Sequence, residues 1–466
     1  MKAFDDDLVS GSILRSVWKL SWPIVTMNII NGLRGLVDQV LVGHYVQDVA
    51  ANAAIGVSWV IFLVVVVSLA SLFHGMGVLI SQSAGKKARE EMSRVMHDVF
   101  LATLYLVIFV IAPIGYLLSP VVLAHVNAKP DVQLYAIPYL RTLFACGLPL
   151  SAVFLLSTAM QSSGEAKIPL MLSILTTAVN ILLSSVFITG LGIFKPMGTT
   201  GAALGTCFAP IPAIIITITL ILRRKMILQP PPKWTLIPDF SVLKVVARIG
   251  VPSGIHAVAL NIGGIFVYRY IGSLEFSSAA QAAYTICYAQ LFSFLTWAAL
   301  GLRGASSSLM GQNIGAGKPA RGKRGVHIAT AMGLVWAVVW GIVAVTVPQA
   351  LLGIFNAKDE HVMLYGVTLL RFLAVSGLFL ATALALTGGL IGAGETKKPM
   401  WIAIVTQIVI LLTICQVFKS LGLLSTNVIW AAILVSHVSR FVLTFYAFEH
   451  TKWRTTPLEL NPAKSG

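Results

Sequence analysis

VSWVIFLVVVVSLASLF, residues 57–73, carries no charge and does not alternate polar with apolar positions. A membrane strand alternates, whereas a spanning helix needs roughly 20 mostly apolar residues in a row. The run continues on both sides to cover residues 50–81, so we read a membrane-spanning helix. Working outward, eleven further runs of the same kind occur. Before the chain midpoint they lie at 16–45, 96–119, 133–158, 168–191 and 200–222. After it they lie at 246–272, 278–311, 326–348, 362–389, 399–420 and 427–448. The composition agrees with twelve spans. Of 466 residues, 57% are apolar and 11% charged, against about 25% charged in soluble domains. The mean hydropathy is +0.86. These values exclude a soluble enzyme, a disordered chain and a secreted disulfide scaffold.

The net charge of +16 has a topological reading. The tails and the connections after spans 2, 4, 6, 8 and 10 carry 23 of the 33 Lys and Arg. The connections after the odd spans carry Lys129, Lys195, Lys358 and Lys419. Basic loops stay in the cytoplasm, so both termini are expected there, in a bacterial inner membrane. No basic run or motif points to nucleic acid. The first twenty residues are acidic early and lack the features of a cleavable signal peptide. Cys146, Cys207, Cys287 and Cys415 all sit in apolar runs and read as buried residues, with no metal or disulfide site.

The longest polar connection is RRKMILQPPPKWTLIPDF, residues 223–240. Three consecutive prolines make it a stiff, extended strap. It divides the chain into an N-terminal lobe, 1–222, a linker, 223–241, and a C-terminal lobe, 242–466. The lobes repeat one another at an offset of about 230. SQSAGKKAR (81–89) matches GQNIGAGKPAR (311–321), and GEAKIP (164–169) matches GETKKP (394–399). Pro23 in LSWPI matches Pro252 in IGVPS, and Gly43 matches Gly272. Because six is even, both halves insert with the same topology. The fold expected is therefore all-α: two six-helix bundles related by a pseudo-two-fold along the membrane normal, rocking in alternating access.

With the repeat established, the chain resembles the multidrug and toxic compound extrusion (MATE) family over nearly its whole length. The resemblance rests on LVDQVLVG (36–43), SQSAGKKAR, GLGIFKPMGTTGAALGT (190–206), IGVPSG (249–254) and, most specifically, GQNIGAGKPAR. It implies an antiporter that exports small organic compounds, often cationic, against an inward H⁺ or Na⁺ gradient, with no other cofactor and as a monomer.

Of 17 acidic residues, one lies well inside a span: Asp38. A carboxylate at that depth costs about 2.5–3.5 kcal/mol on insertion scales, so its default reading is functional. The competing reading is an ion pair with Arg34, one turn earlier. The family resemblance assigns Asp38 the coupling role. By the same resemblance Asn180 and Thr206 match family positions, while Ser184 stands where an Asp is expected. One carboxylate instead of two favours H⁺, which needs only a group that gains and loses a proton, over Na⁺ at Asp38, Asn180 and Thr206. Taken alone, Asn180 or Thr206 also fits a helix–helix hydrogen bond. The second half has Val267 where the first has Asp38.

Six arginines lie in or near spans. Arg269 and Arg440, near predicted ends, are expected to snorkel to an interface. Arg34, Arg303 and Arg371 read as deeper and, with Tyr288 and Gln290 of span 8, as candidates to line a substrate cavity; packing between helices is the alternative for the last two. Several arginines with one aspartate suit an anionic or siderophore-like metabolite as well as a cationic drug. A flippase of lipid-linked precursors is a further alternative within transporters. An intramembrane enzyme lacks convergent acids or a buried His pair, and a channel lacks a filter or charge ring. GQNIGAGK approaches a phosphate loop, but Pro319 replaces the Ser/Thr that would hold Mg²⁺.

Overall fold

The computed structural model describes residues 3–46, 48–126, 129–192, 195–355, 359–453 and 458, the side chains of 35–40, 43 and 49 excepted. Among the described residues there is no strand. The first half contains α1 (Ile13–Tyr45), α2 (Val49–Gly85), α3 (Arg89–Leu106), α4 (Ala112–His125), α5 (Pro130–Ala145), α6 (Gly147–Ser162), α7 (Lys167–Thr189), α8 (Gly198–Phe208) and α9 (Ile211–Leu222). The second contains α10 (Phe240–Ile271), α11 (Ser277–Tyr284), α12 (Phe292–Gly315), α13 (Pro319–Thr346), α14 (Pro348–Gly353), α15 (Glu360–Gly392), α16 (Lys397–Ala403), α17 (Leu411–Ser420) and α18 (Thr426–Glu449).

Several of these join into single spans. Wide π-helical turns at Val107–Ile111, Thr285–Leu291 and Ile404–Ile410 link α3 to α4, α11 to α12 and α16 to α17. Among the described residues, ten helices are long and apolar enough to cross a bilayer. An eleventh is the pair α5 and α6, bent by 52°. The first predicted span falls on α1, which includes residues 35–40. Large apolar side chains such as Phe109, Leu117, Met171 and Val335 point outward. That is costly in water and correct against lipid. The protein is a multi-pass, all-helical membrane protein.

The helices form two compact units. One is built on Ile30–Val251, the other on Asp6–Ile29 with Pro252–Pro457. The boundaries therefore fall inside α1 and α10, the two helices that carry Pro23 and Pro252 in their interiors. Within the first unit, glycines let the start of α10 approach α2 closely. A methyl group at Gly75 would strike the Val246 carbonyl, and one at Gly250 the Ser71 carbonyl. Within the second unit, Gly301 of α12 accepts Val25 of α1 in the same way. Each unit has its own core, around Phe62, Leu140 and Phe144 in one and Tyr284, Phe292 and Trp430 in the other.

The Pro-rich connection lies along α3 in the first unit. Tyr105 donates to the Leu236 carbonyl at 2.5 Å, His97 meets that of Thr235 at 3.0 Å, and Arg94 pairs with Asp239. Hydrogen bonds from Ser241, then from Arg94, hold the Asp239 carboxyl at about 2.

The repeat seen in the sequence is present in the backbone. Left-handed residues recur at equal spacing: Lys87 with Gly317, Gly164 with Gly394, and Gly192 with Gly422. The first two pairs close their helices with the same long-range bond. Ala88 N reaches Ser83 O at 2.9 Å and Lys318 N reaches Asn313 O at 2.7 Å; Glu165 N to Met160 O and Glu395 N to Leu390 O are both 2.9 Å. Gly317 has φ +70° and open space where a Cβ would go. Gly317→Ala should therefore lower stability by about 1–2 kcal/mol from backbone strain alone. Gly56→Ala, in open space within α2, should be neutral or stabilising. Thermal unfolding of the two variants in detergent checks the contrast.

Candidate functional site

α7 carries a stripe of polar residues at helical spacing: Ser173, Thr176, Asn180 and Ser184, all buried. The stripe faces protein because burying four hydroxyl or amide groups toward lipid would leave them unsatisfied. At its head, Ser173 Oγ donates to Asn31 Oδ1 of α1 at 2.9 Å. At its foot, α8 is drawn in by Gly201 and Gly205, spaced four apart. A Cβ on Gly205 would collide with Ser184, and one on Gly201 with the backbone of Phe187. This close approach of small residues is a common way for membrane helices to pack. It carries the next residue, Thr206, against Asn180. Asn180 Nδ2 donates to Thr206 Oγ1 at 3.2 Å and to Ser184 Oγ at 3.3 Å.

Three of the four residues predicted for ion coupling are thus one hydrogen-bonded cluster in the first unit. Asn180 is fully buried, and its Oδ1 has no partner among the described residues; the same holds for Thr176 Oγ1. The cluster offers neutral oxygens only. The fourth residue, Asp38, lies two helical turns beyond Asn31 in α1, and its side chain is outside the described residues. Arg34 is half-buried. Ser173, Thr176 and Asn31 belong with this stripe and were missed in the sequence, although the spacing along α7 was there to find Thr176 and Ser173.

The candidates of the second unit separate. Tyr288 lies on the π turn and stacks on Tyr284 at 4.9 Å, which in turn stacks on Trp430 at 5.9 Å. Gln290 and Arg303 are half-buried, whereas Arg371 is exposed. Val267 is buried in the apolar core. Arg440 corrects the expectation of a snorkelling side chain. It is 3% exposed and its Nη2 meets His256 Nε2 at 3.2 Å. The helix runs on for two further turns to Glu449, so Arg440 sits too deep to reach an interface. One turn earlier His437 Nδ1 lies 2.5 Å from Ser376 Oγ, and Gln407 Nε2 donates to Ser436 Oγ at 2.6 Å. These partners are far apart in sequence and match no metal or catalytic spacing. Among the described residues no group of three His, Cys, Asp or Glu is placed to hold a metal.

Comparison with known proteins supports the same frame. The family profile MatE matches twice, over residues 23–186 and 252–417, and the two matches open on the paired prolines. A probable multidrug resistance protein NorM of Thermotoga maritima is 26% identical over 451 residues, covering 95% of this chain and 93% of that one. A probable multidrug resistance protein YoeA of Bacillus subtilis is 25% identical, covering 75% of each chain. A crystal structure of MATE in complex with MaL6 shares the fold, with a TM-score of 0.88 at 18% identity over 96% of this chain and 98% of that one. The duplicated profile, covering both halves of the helical fold, places this chain in the MatE family of membrane transporters.

Proposed function

We propose that the chain is an H⁺-coupled antiporter that exports small organic compounds, with Asp38 as the group that gains and loses the proton. The observation that carries this reading is the buried Asn180–Ser184–Thr206 cluster, which contributes neutral oxygens and no second carboxylate. A site of that kind tunes a single acid; a sodium site gains from more anionic oxygen. Asn180 Oδ1, without a partner among the described residues, is a ready acceptor for a protonated carboxyl. The names of the relatives, multidrug resistance proteins, support export of organic compounds. In this reading α1 adds the twelfth span, the halves 1–222 and 242–466 insert with both termini in the cytoplasm, and the protein works as a monomer in the inner membrane.

The test is efflux from proteoliposomes under a pH gradient alone and a Na⁺ gradient alone, with ethidium as a cationic fluorescent probe. Wild type should respond to the pH gradient, and Asp38→Asn should fall to the level of empty liposomes. Transport driven by Na⁺ alone, or an Asp38→Asn variant as active as wild type, overturns the proposal.

A further inference from the structure

The strap between the halves carries two apolar groups of residues, and the protein covers one of them. Met226, Ile227 and Leu228 are buried, whereas Trp234, Leu236, Ile237 and Phe240 are 71–78% exposed. Large apolar side chains held out together mark an interaction surface. The backbone beneath them is fixed by α3. His97 and Tyr105 engage the carbonyls of Thr235 and Leu236, Asp98 Oδ1 accepts the Asp239 amide at 3.2 Å, and Arg94 pairs with the Asp239 carboxylate. Pro230, Pro231, Pro232 and Pro238 have no N–H to satisfy. Irregular backbone tolerates lipid only where its polar groups find partners, and proline and α3 together provide for this. α3 also sets the depth. Its charged residues end at Asp98, and none follows from Val99 to Ala124. Tyr105 lies about 10 Å along the helix from Asp98, so the strap is held across the boundary between the charged and apolar parts of α3. One turn further, Phe109 is exposed on the lipid-facing surface, its ring 6.1 Å from that of Tyr105. Residues 223–248 carry six basic side chains and one acid, Asp239, which Arg94 neutralises. Lys233 and Lys244 are exposed.

We propose that Trp234, Leu236, Ile237 and Phe240 insert into the cytoplasmic leaflet, with Lys233 and Lys244 on the phosphates of anionic lipids. An anionic bilayer surface binds a tryptophan-bearing apolar segment with basic neighbours through both features at once. A second copy of the chain would match the apolar residues only, because two basic straps repel one another. The leaflet is also continuous with the lipid that meets Phe109. The joint between the halves is thereby tied to the membrane plane by its side chains and to α3 by its backbone. The choice of leaflet rests on the orientation proposed above, with both termini in the cytoplasm.

The test uses the full-length protein in nanodiscs of phosphatidylcholine and phosphatidylglycerol. An NBD fluorophore on Leu236→Cys should be quenched by a lipid with a nitroxide high on its acyl chain and spared by aqueous iodide, as should one on Phe109→Cys. Glu90→Cys, on the charged first turn of α3, should show the reverse. Wild type with its four native cysteines, treated alike, supplies the background. Ile237→Cys is an independent reporter should Leu236→Cys not purify. With the nitroxide on a trace of phosphatidylglycerol, quenching should be about fivefold more efficient than with the same label on phosphatidylcholine. That preference should fall toward parity at high salt and when Lys233→Gln and Lys244→Gln are combined. Iodide quenching of Leu236→Cys and Ile237→Cys at the level of Glu90→Cys overturns the insertion. Protection from both quenchers overturns it too, and indicates cover by protein such as a second copy. Equal quenching by the two lipids overturns the assignment to anionic lipid. Nanodiscs expose both leaflets, so these results are independent of orientation. The side is read separately, with a membrane-impermeant maleimide on intact spheroplasts, which should leave Glu90→Cys unlabelled. Labelling there overturns the orientation, and with it the choice of leaflet, while the nanodisc result decides the insertion.

Discussion

Gly205→Val is expected to abolish pH-driven efflux and to lower stability by about 3 kcal/mol or more. An added Cβ would lie 2.7 Å from the Ser184 backbone nitrogen and 2.8 Å from its Cα, and it would overlap Oγ. Backbone atoms cannot rotate away as a side-chain tip does, so α8 itself must retreat from α7. Gly201, one turn earlier, is tight against Phe187 at 2.6 Å, so tilting α8 gives no relief. The retreat breaks the 3.2 Å bond from Asn180 to Thr206 and strips the cluster of one of its three members. Loss of a buried hydrogen bond adds its own penalty, because Asn180 stays dry. Efflux and thermal unfolding on the same preparation check both effects. Wild-type behaviour in both would show that the α7–α8 contact does not organise the site.

An equally large loss of stability is expected from Gly388→Val and from Gly392→Val in the second unit. These glycines, again four apart, let α15 lie on the backbone of α12. A Cβ at Gly388 would collide with the Arg303 carbonyl oxygen and sit 2.8 Å from its carbon; one at Gly392 would meet Ser307 likewise. α15 is the most buried of the candidate spans, with 72% of its apolar window inside the protein, so it has no free side toward which to move. Gly389→Val should be milder, since its neighbours are the side chains of Phe448 and Val326. Gly264→Ala, in open space on α10, should cost nothing. Yield of a single species on size exclusion, followed by thermal unfolding, ranks the four variants.

Membrane insertion, helical content and the duplication were all legible in the sequence, because each is written locally. A bilayer demands long apolar runs, and a helix end demands the same left-handed turn wherever the repeat places it. Hence SQSAGKKAR and GQNIGAGKPAR repeat in the sequence, and Lys87 and Gly317 within them are both left-handed in the structure. The polar members of α7 were equally local, since Asn180 and Ser184 are one helical turn apart. What only the tertiary structure decided is which distant segments meet. Thr206 reaches Asn180 because two glycines lower α8 onto α7. Arg440 is buried because His256, far away in the chain, packs beside it. The boundary between units falls within α1 and α10 because glycine contacts bind the first part of each to the other half of the chain. Hydropathy records how apolar a residue is, and spacing records which neighbours share its helix face. Neither records the partner across a helix–helix contact, which close packing alone selects.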